Sequence, residues 1–241
     1  MRSASLTLAA TLAALPMVAA AAACQARSGP QVPTVIELYT SEGCSSCPPA
    51  DHWLSGLKPL AAQGRVVAQA FHVGYWDYIG WVDRFAAPAY TARQKQIAQT
   101  NALTSIYTPQ LVRDGRDWRD YAQALSRPPQ PAQAAVTLVR TQDDAFEASV
   151  TPTQPDAPWS AYWTVTENGH SSKVKAGENA GELLQHDFVV RQYVQAGQYR
   201  GAQKLSLRAV PQDGTHPRRV NLVVVEPRLG QPMQALSLAC S

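Results

Sequence analysis

Cys44 and Cys47 stand with two serines between them, directly after an apolar run and directly before two prolines. That placement constrains the fold more than any other feature of the chain. Val35, Ile36, Glu37, Leu38 and Tyr39 form a short, partly β-branched run that reads as a buried strand. Pro48 and Pro49 suit the first turn of a helix, where a missing N–H costs nothing. The Cys pair therefore reads as a strand-to-helix turn, with its first sulfur at the helix N-terminus. The unpaired N–H groups and positive dipole end found there stabilise a thiolate. Cys44 is expected to attack in disulfide exchange and Cys47 to resolve the mixed disulfide. Zinc sites use the same spacing but normally need a second pair. Cys24 and Cys240 are each alone, at opposite ends of the chain. A purely structural Cys44–Cys47 disulfide is the other reading that the spacing allows.

The surrounding pattern extends this turn into an α/β unit. Residues 49–63 read as a helix, with Trp53, Leu54, Leu57 and Leu60 at helical spacing, weakened by Gly56 and Pro59. Residues 66–73 read as a second strand, 75–85 as an aromatic-rich loop and 89–101 as a second helix. Gln110 to Arg113 form a strand that enters an Asp114-Gly115 hairpin turn. Residues 118–125 read as a closing helix. Strand, helix, strand, helix, hairpin, helix makes a single-sheet α/β domain over residues 32–127. Pro128, Pro129 and Pro131 mark residues 128–133 as a linker. Residues 134–241 alternate apolar and polar with period two in several short runs, which predicts an antiparallel β-sandwich. Residues 181–193 fit helix and strand equally. The fold class is therefore α+β, an α/β domain followed by a β-sandwich.

Composition narrows the partners. The chain has 241 residues, enough for one large domain or two ordinary ones. Charged residues are 16% and the net charge is +3, with no basic run longer than Arg218-Arg219. A phosphate-tracking surface needs a concentrated basic patch, so a nucleic-acid partner is excluded. Arg2 is followed by an Ala/Leu-rich stretch, and residues 1–23 read as a secretory signal peptide. The protein is thus expected to be exported, periplasmic or secreted, where disulfides persist. Ala21-Ala22-Ala23 before Cys24 is an ordinary cleavage site. The alternative is a lipoprotein site with Cys24 acylated, the one case that implies membrane contact. Without the lipid, Cys24 is expected to pair with Cys240.

The run from Glu37 to Asp51, through Cys44-Ser45-Ser46-Cys47-Pro48-Pro49, resembles domain-of-unknown-function family 1223. So do the stretches His72 to Trp81, Tyr107-Thr108-Pro109-Gln110, Gly177-Glu178-Asn179 and Val189-Val190-Arg191. Gly74 and Arg84 depart from it, where Asp and Pro are expected. The family is a group of exported bacterial thioredoxin-like proteins, so the resemblance implies a thioredoxin-like fold for residues 32–127. It further implies that Thr108-Pro109 is a cis bond facing the Cys pair, with Pro109 shaping the substrate site. Glu37 would be the buried acid that relays a proton to Cys47, its pKa raised by burial; the alternative is that it pairs with a nearby Arg or reaches the surface.

The expected activity is thiol–disulfide exchange on a thiol or disulfide protein substrate or redox partner, with no cofactor. Two rivals come from other classes. One is an envelope binding or scaffold protein with a permanent Cys44–Cys47 disulfide. The other is a copper(I) carrier using Cys44, Cys47 and His72, with His52 as an alternative ligand, since thiolates suit that ion. Tyr75, Trp76, Tyr78, Trp81 and Phe85 read as a loop core or a peptide groove, and Asp77 and Asp83 as turn or cap residues.

Overall fold

The computed structural model describes residues 24–240, and the expected signal segment lies outside them. The first elements are β1 (Gln25–Arg27), β2 (Thr34–Thr40), α1 (Pro48–Ser55), α2 (Lys58–Ala62) and β3 (Val66–His72). Then come α3 (Pro88–Thr100), β4 (Gln110–Arg113) and β5 (Arg116–Asp117). β2 pairs parallel with β3 and antiparallel with β4, and β5 closes that edge. Side chains alternate across a strand. Ile36 and Leu38 therefore pack with Ala50, Leu54 and Leu57 beneath α1, while Tyr39 packs with Phe71, Tyr90 and Ile97 beneath α3. Both faces of β2 are buried, which is why it reads as a continuous apolar run. This is the thioredoxin-like arrangement.

Two helical expectations need correction. The helix expected over 49–63 is two short helices, broken at Gly56 and Leu57. Pro59 cannot continue a helix but suits the start of one, so α2 opens there. The helix expected over 118–125 is only a 3-10 turn, Tyr121–Gln123, capped by the Asp120 side chain. The Trp118 N–H still bonds to Leu111 O, so too little chain remains before Pro128 for a longer helix.

The second half supplies β6 (Ala134–Gln142), β7 (Ala145–Pro152), β8 (Trp159–Glu167), β9 (His170–Lys173) and β10 (Leu183–His186). β11 (Val189–Tyr199), β12 (Gln203–Arg208), β13 (Arg218–Val225) and β14 (Pro232–Leu238) follow. The ambiguous 181–193 stretch is thus strand, interrupted at Phe188 with φ 57°. A four-stranded sheet, β1-β6-β7-β12, packs through Val136, Leu138, Phe146 and Val150 onto Trp159, Trp163, Leu222 and Val224. That is the sandwich. Its other layer continues into the first half as one eight-stranded sheet, β14-β13-β8-β11-β3-β2-β4-β5. The join is β11, parallel to β3 at Val189 and Ala70 and antiparallel to β8. It covers the edge of β3, which would otherwise present unpaired backbone groups. Cys24 and Cys240 are disulfide-bonded beside the sandwich core. No helix among the described residues is long and apolar enough to cross a membrane.

Candidate functional site

β2 ends at Thr40, and Ser41, Glu42 and Gly43 carry the chain to Cys44. Cys44 and Cys47 are disulfide-bonded to each other. Cys47, not Cys44, is the N-cap of α1, with Pro48 next. The sulfur expected to attack therefore lies one turn ahead of the helix, because the Cys47 N–H bonds back to Cys44 O and closes a separate turn. Cys44 is 1% exposed and Cys47 is fully buried, while Ser45 and Ser46 face solvent.

Three loops enclose this turn. Trp76 spans two of them: an added Cβ on Gly43 would lie 2.9 Å from its Cβ, and its indole N–H donates to Thr108 Oγ1 at 2.8 Å. The Thr108–Pro109 bond is cis. The third loop links β9 to β10. Asn179 Nδ2 donates to the carbonyls of Glu42 and Cys44 at 2.8 and 3.0 Å, and Glu178 Oε2 accepts the Ser45 N–H at 3.0 Å. The Ser45 hydroxyl and N–H hold the Glu178 carboxyl below its usual range. Gly177, at φ 76°, lets this loop pass against Ile79, where a Cβ would meet the side chain at 3.2 Å.

Glu37 is not where a relay to Cys47 needs it. It shares the α3 face of β2 with Tyr39, across the sheet from α1. Arg93 donates to both its oxygens, at 2.8 and 2.6 Å, and the hydroxyls of Tyr39 and Tyr162 donate at 2.9 Å. Burial alone would raise its pKa, but Arg93 and these donors hold it below the ordinary carboxylate range. His72 lies on the α1 face, but its Nδ1 is engaged with Asp83 Oδ2 at 2.7 Å. His52 is exposed.

Beside the turn the sequence concealed a buried ionisable cluster of Glu42, Asp51, His72, Asp83 and His186. Asp83 accepts the N–H groups of Glu42 and Phe85 as well as bonding to His72. Glu42 accepts from Trp81 Nε1 at 2.7 Å and meets His186 Nε2 at 3.1 Å. The imidazoles of His72 and His186 stand edge to face, 4.9 Å apart. Burial disfavours charge on His72, yet Asp83 raises its pKa above the usual histidine value. Burial also acts to raise Asp83, but His72 and the backbone donors hold it low. Asp51 accepts from Thr40 Oγ1 at 3.0 Å, and burial pushes its pKa up to about 6. Its position four residues after Cys47 was the one spacing that tied a member of the cluster to the Cys pair. Asn179 fell in a stretch that carries the family resemblance, but no spacing linked it or His186 to the site, because both reach it only through the hairpin that precedes β11.

Elsewhere Glu167, His170 and Asp213 converge within possible metal-ligand distance of one another. Arg191 bridges Glu167 and Asp213 at 2.8 and 3.1 Å, so a guanidinium already supplies the cation there.

The family described as protein of unknown function (DUF1223) matches residues 35–226. A crystal structure of an Agrobacterium tumefaciens protein is 25% identical, with a TM-score of 0.64, over 86% of this chain and 94% of that one. HBP35 of Porphyromonas gingivalis is 13% identical, with a TM-score of 0.60, over 87% of this chain and 76% of that one, a likeness of fold. No curated protein matches the sequence.

Proposed function

The chain belongs to the DUF1223 family, whose description leaves its role open, and from the site we propose an exported thiol–disulfide oxidoreductase. The observation that carries this reading is the Cys44–Cys47 disulfide at the strand-to-helix turn of a thioredoxin-like half, with Thr108-Pro109 reached across Trp76. In the oxidised form a substrate thiolate attacks Cys44 Sγ, the S–S bond breaks, and Cys47 leaves with the electron pair. A second substrate thiolate then attacks the mixed disulfide, releasing Cys44 and leaving an oxidised substrate and a reduced protein. The reverse sequence reduces a substrate disulfide. The Cys24–Cys240 disulfide supports an oxidising compartment, as does the Ala-rich leader.

A second reading, a scaffold with a permanent disulfide, is favoured by the burial of both sulfurs. Redox titration of the folded protein with dithiothreitol, followed by alkylation, separates the two. An exchanging pair is reduced while near-UV dichroism stays native, and Cys47→Ser accumulates a mixed disulfide at Cys44. A pair that opens only on unfolding removes the oxidoreductase reading.

A further inference from the structure

The resolving step needs a base, because Cys47 is fully buried and its thiol must lose a proton before it attacks. Glu37 lies across the sheet. Asp51 lies one helical turn from Cys47, its N–H bonded to Cys47 O at 3.1 Å, and residues four apart share a helix face. Among the described residues Asp51 makes no ion pair, and its one side-chain hydrogen-bond partner is the neutral Thr40 hydroxyl. On its other side is a cavity of about 560 Å³ between α1 and β10, whose walls include Pro48, Asp51, His52 and His186. The exposed Leu183 and the Lys58–Asp187 ion pair stand at its rim.

We propose that Asp51 is the proton acceptor for Cys47 and that the α1–β10 cavity is the proton's route to solvent. This rests on the oxidoreductase reading and deepens it. In the mixed disulfide, the Cys47 S–H bond breaks and its proton passes to the Asp51 carboxylate. The Cys47 sulfur attacks Cys44 Sγ, the bond from Cys44 to the substrate sulfur breaks, and the substrate leaves as a thiolate. Asp51 then yields its proton to water in the cavity. In the opposite direction protonated Asp51 donates to Cys47 as that sulfur leaves.

The groups around Asp51 suit the task. His72 and His186 favour its ionised form, Asp83 opposes it, and burial raises it to about 6. Tyr121, which packs edge-on against Trp53, also feels its charge. Glu42 engages His186, so that imidazole is held rather than free to displace the carboxylate. Among the described residues His186 Nδ1 and His72 Nε2 have no hydrogen-bond partner, although both are buried beside Asp51. These unpartnered nitrogens can hydrogen-bond a water along the route.

The test is single-turnover resolution of a mixed disulfide preformed with a small aromatic thiol, followed by release of the thiolate. In the wild type the rate should rise through an inflection set by Asp51. Asp51→Asn keeps an acceptor for Thr40, and it should slow resolution about 10²-fold or more and abolish the inflection. The mixed disulfide should then accumulate, because attack by the reduced Cys44 thiolate on an aromatic disulfide precedes the step that Asp51 assists. Thr40→Val, which removes a hydrogen bond from the carboxylate, should move the inflection to higher pH and covers the case of an unstable Asn variant. Wild-type rate and pH profile in Asp51→Asn would overturn the proton-acceptor role and leave the oxidoreductase standing. Failure of the wild type to form any mixed disulfide would overturn both.

Discussion

Replacing Arg93 with Met should be among the most damaging single changes to stability. Arg93 holds Glu37 through two hydrogen bonds, donates to Tyr193 Oη at 3.0 Å, and stacks 4.0 Å above the Tyr162 ring. Its side chain is 12% exposed and that of Glu37 is 3% exposed. Met fills much of the same volume but leaves a carboxylate buried without its cation, which costs about 3–5 kcal/mol. For a chain of this length that corresponds to a fall of roughly 6–20 °C in melting temperature. Glu37→Gln combined with Arg93→Met should recover much of the loss, because the stranded charge is gone.

The pH dependence carries a definite sign. Burial raises the Glu37 pKa and Arg93 more than offsets it, so the folded value is depressed. Its stabilisation is present above the ordinary carboxylate range and is lost as pH falls through the folded value. In Arg93→Met the carboxyl protonates readily, so the penalty should be largest near pH 7 and shrink in acid. Urea unfolding followed by tryptophan fluorescence at pH 7 and pH 4 measures this. A loss under about 1 kcal/mol at pH 7, or an equal loss at both pH values, would refute the reasoning.

Asp51→Asn should stabilise the fold at neutral pH. A folded pKa raised from 3.8 to about 6 means stability is lost as pH rises through that window, by up to about 3 kcal/mol, and denaturant midpoints at pH 4 and pH 7 report the gain. Cys24→Ser with Cys240→Ser should cost about 5 kcal/mol on chain-entropy grounds, since the bond spans 216 residues, and thermal unfolding under non-reducing conditions checks it. Trp76→Phe loses the bond to Thr108 and loosens the cover on Gly43, so dithiothreitol should reduce Cys44–Cys47 several-fold faster in the folded protein, measured by quenched alkylation.

The strands and the turn were readable because their signals are local. Val35 to Tyr39 alternate between two buried faces, and Asp114 and Gly115 take the positive φ angles, 51° and 78°, that their hairpin demands. The face on which Glu37 falls was also contained in the period of two. Leu38 beneath α1 forces its neighbours Glu37 and Tyr39 toward α3. Its partner, Arg93, lies 56 residues away on a helix whose rotation the weak apolar pattern of residues 89–101 does not fix. His186 and Asn179 were less accessible still, 144 and 137 residues from Glu42. No spacing rule covers such distances, and only strand order brings those residues together.

That strand order gives the second half a direct part in the Cys44–Cys47 site. β11 must lie against β3 to complete the sheet, and the β9–β10 hairpin immediately precedes it, so the hairpin's loop is delivered to the Cys44 turn. Cutting the chain within residues 128–133 would remove Asn179 from the carbonyls of Glu42 and Cys44, and Glu178 from the Ser45 N–H. It would strip His186 from the buried Glu42 carboxyl and Tyr162 from Glu37. It would also open the edge of β3 to water or to another strand. Apart from the exposed Ser45 N–H, each loss falls on a group that the thioredoxin-like half buries without a substitute of its own. The β-rich half is therefore part of what holds the Cys44–Cys47 turn, and any partner that shifts the hairpin acts on the exposure of the sulfurs.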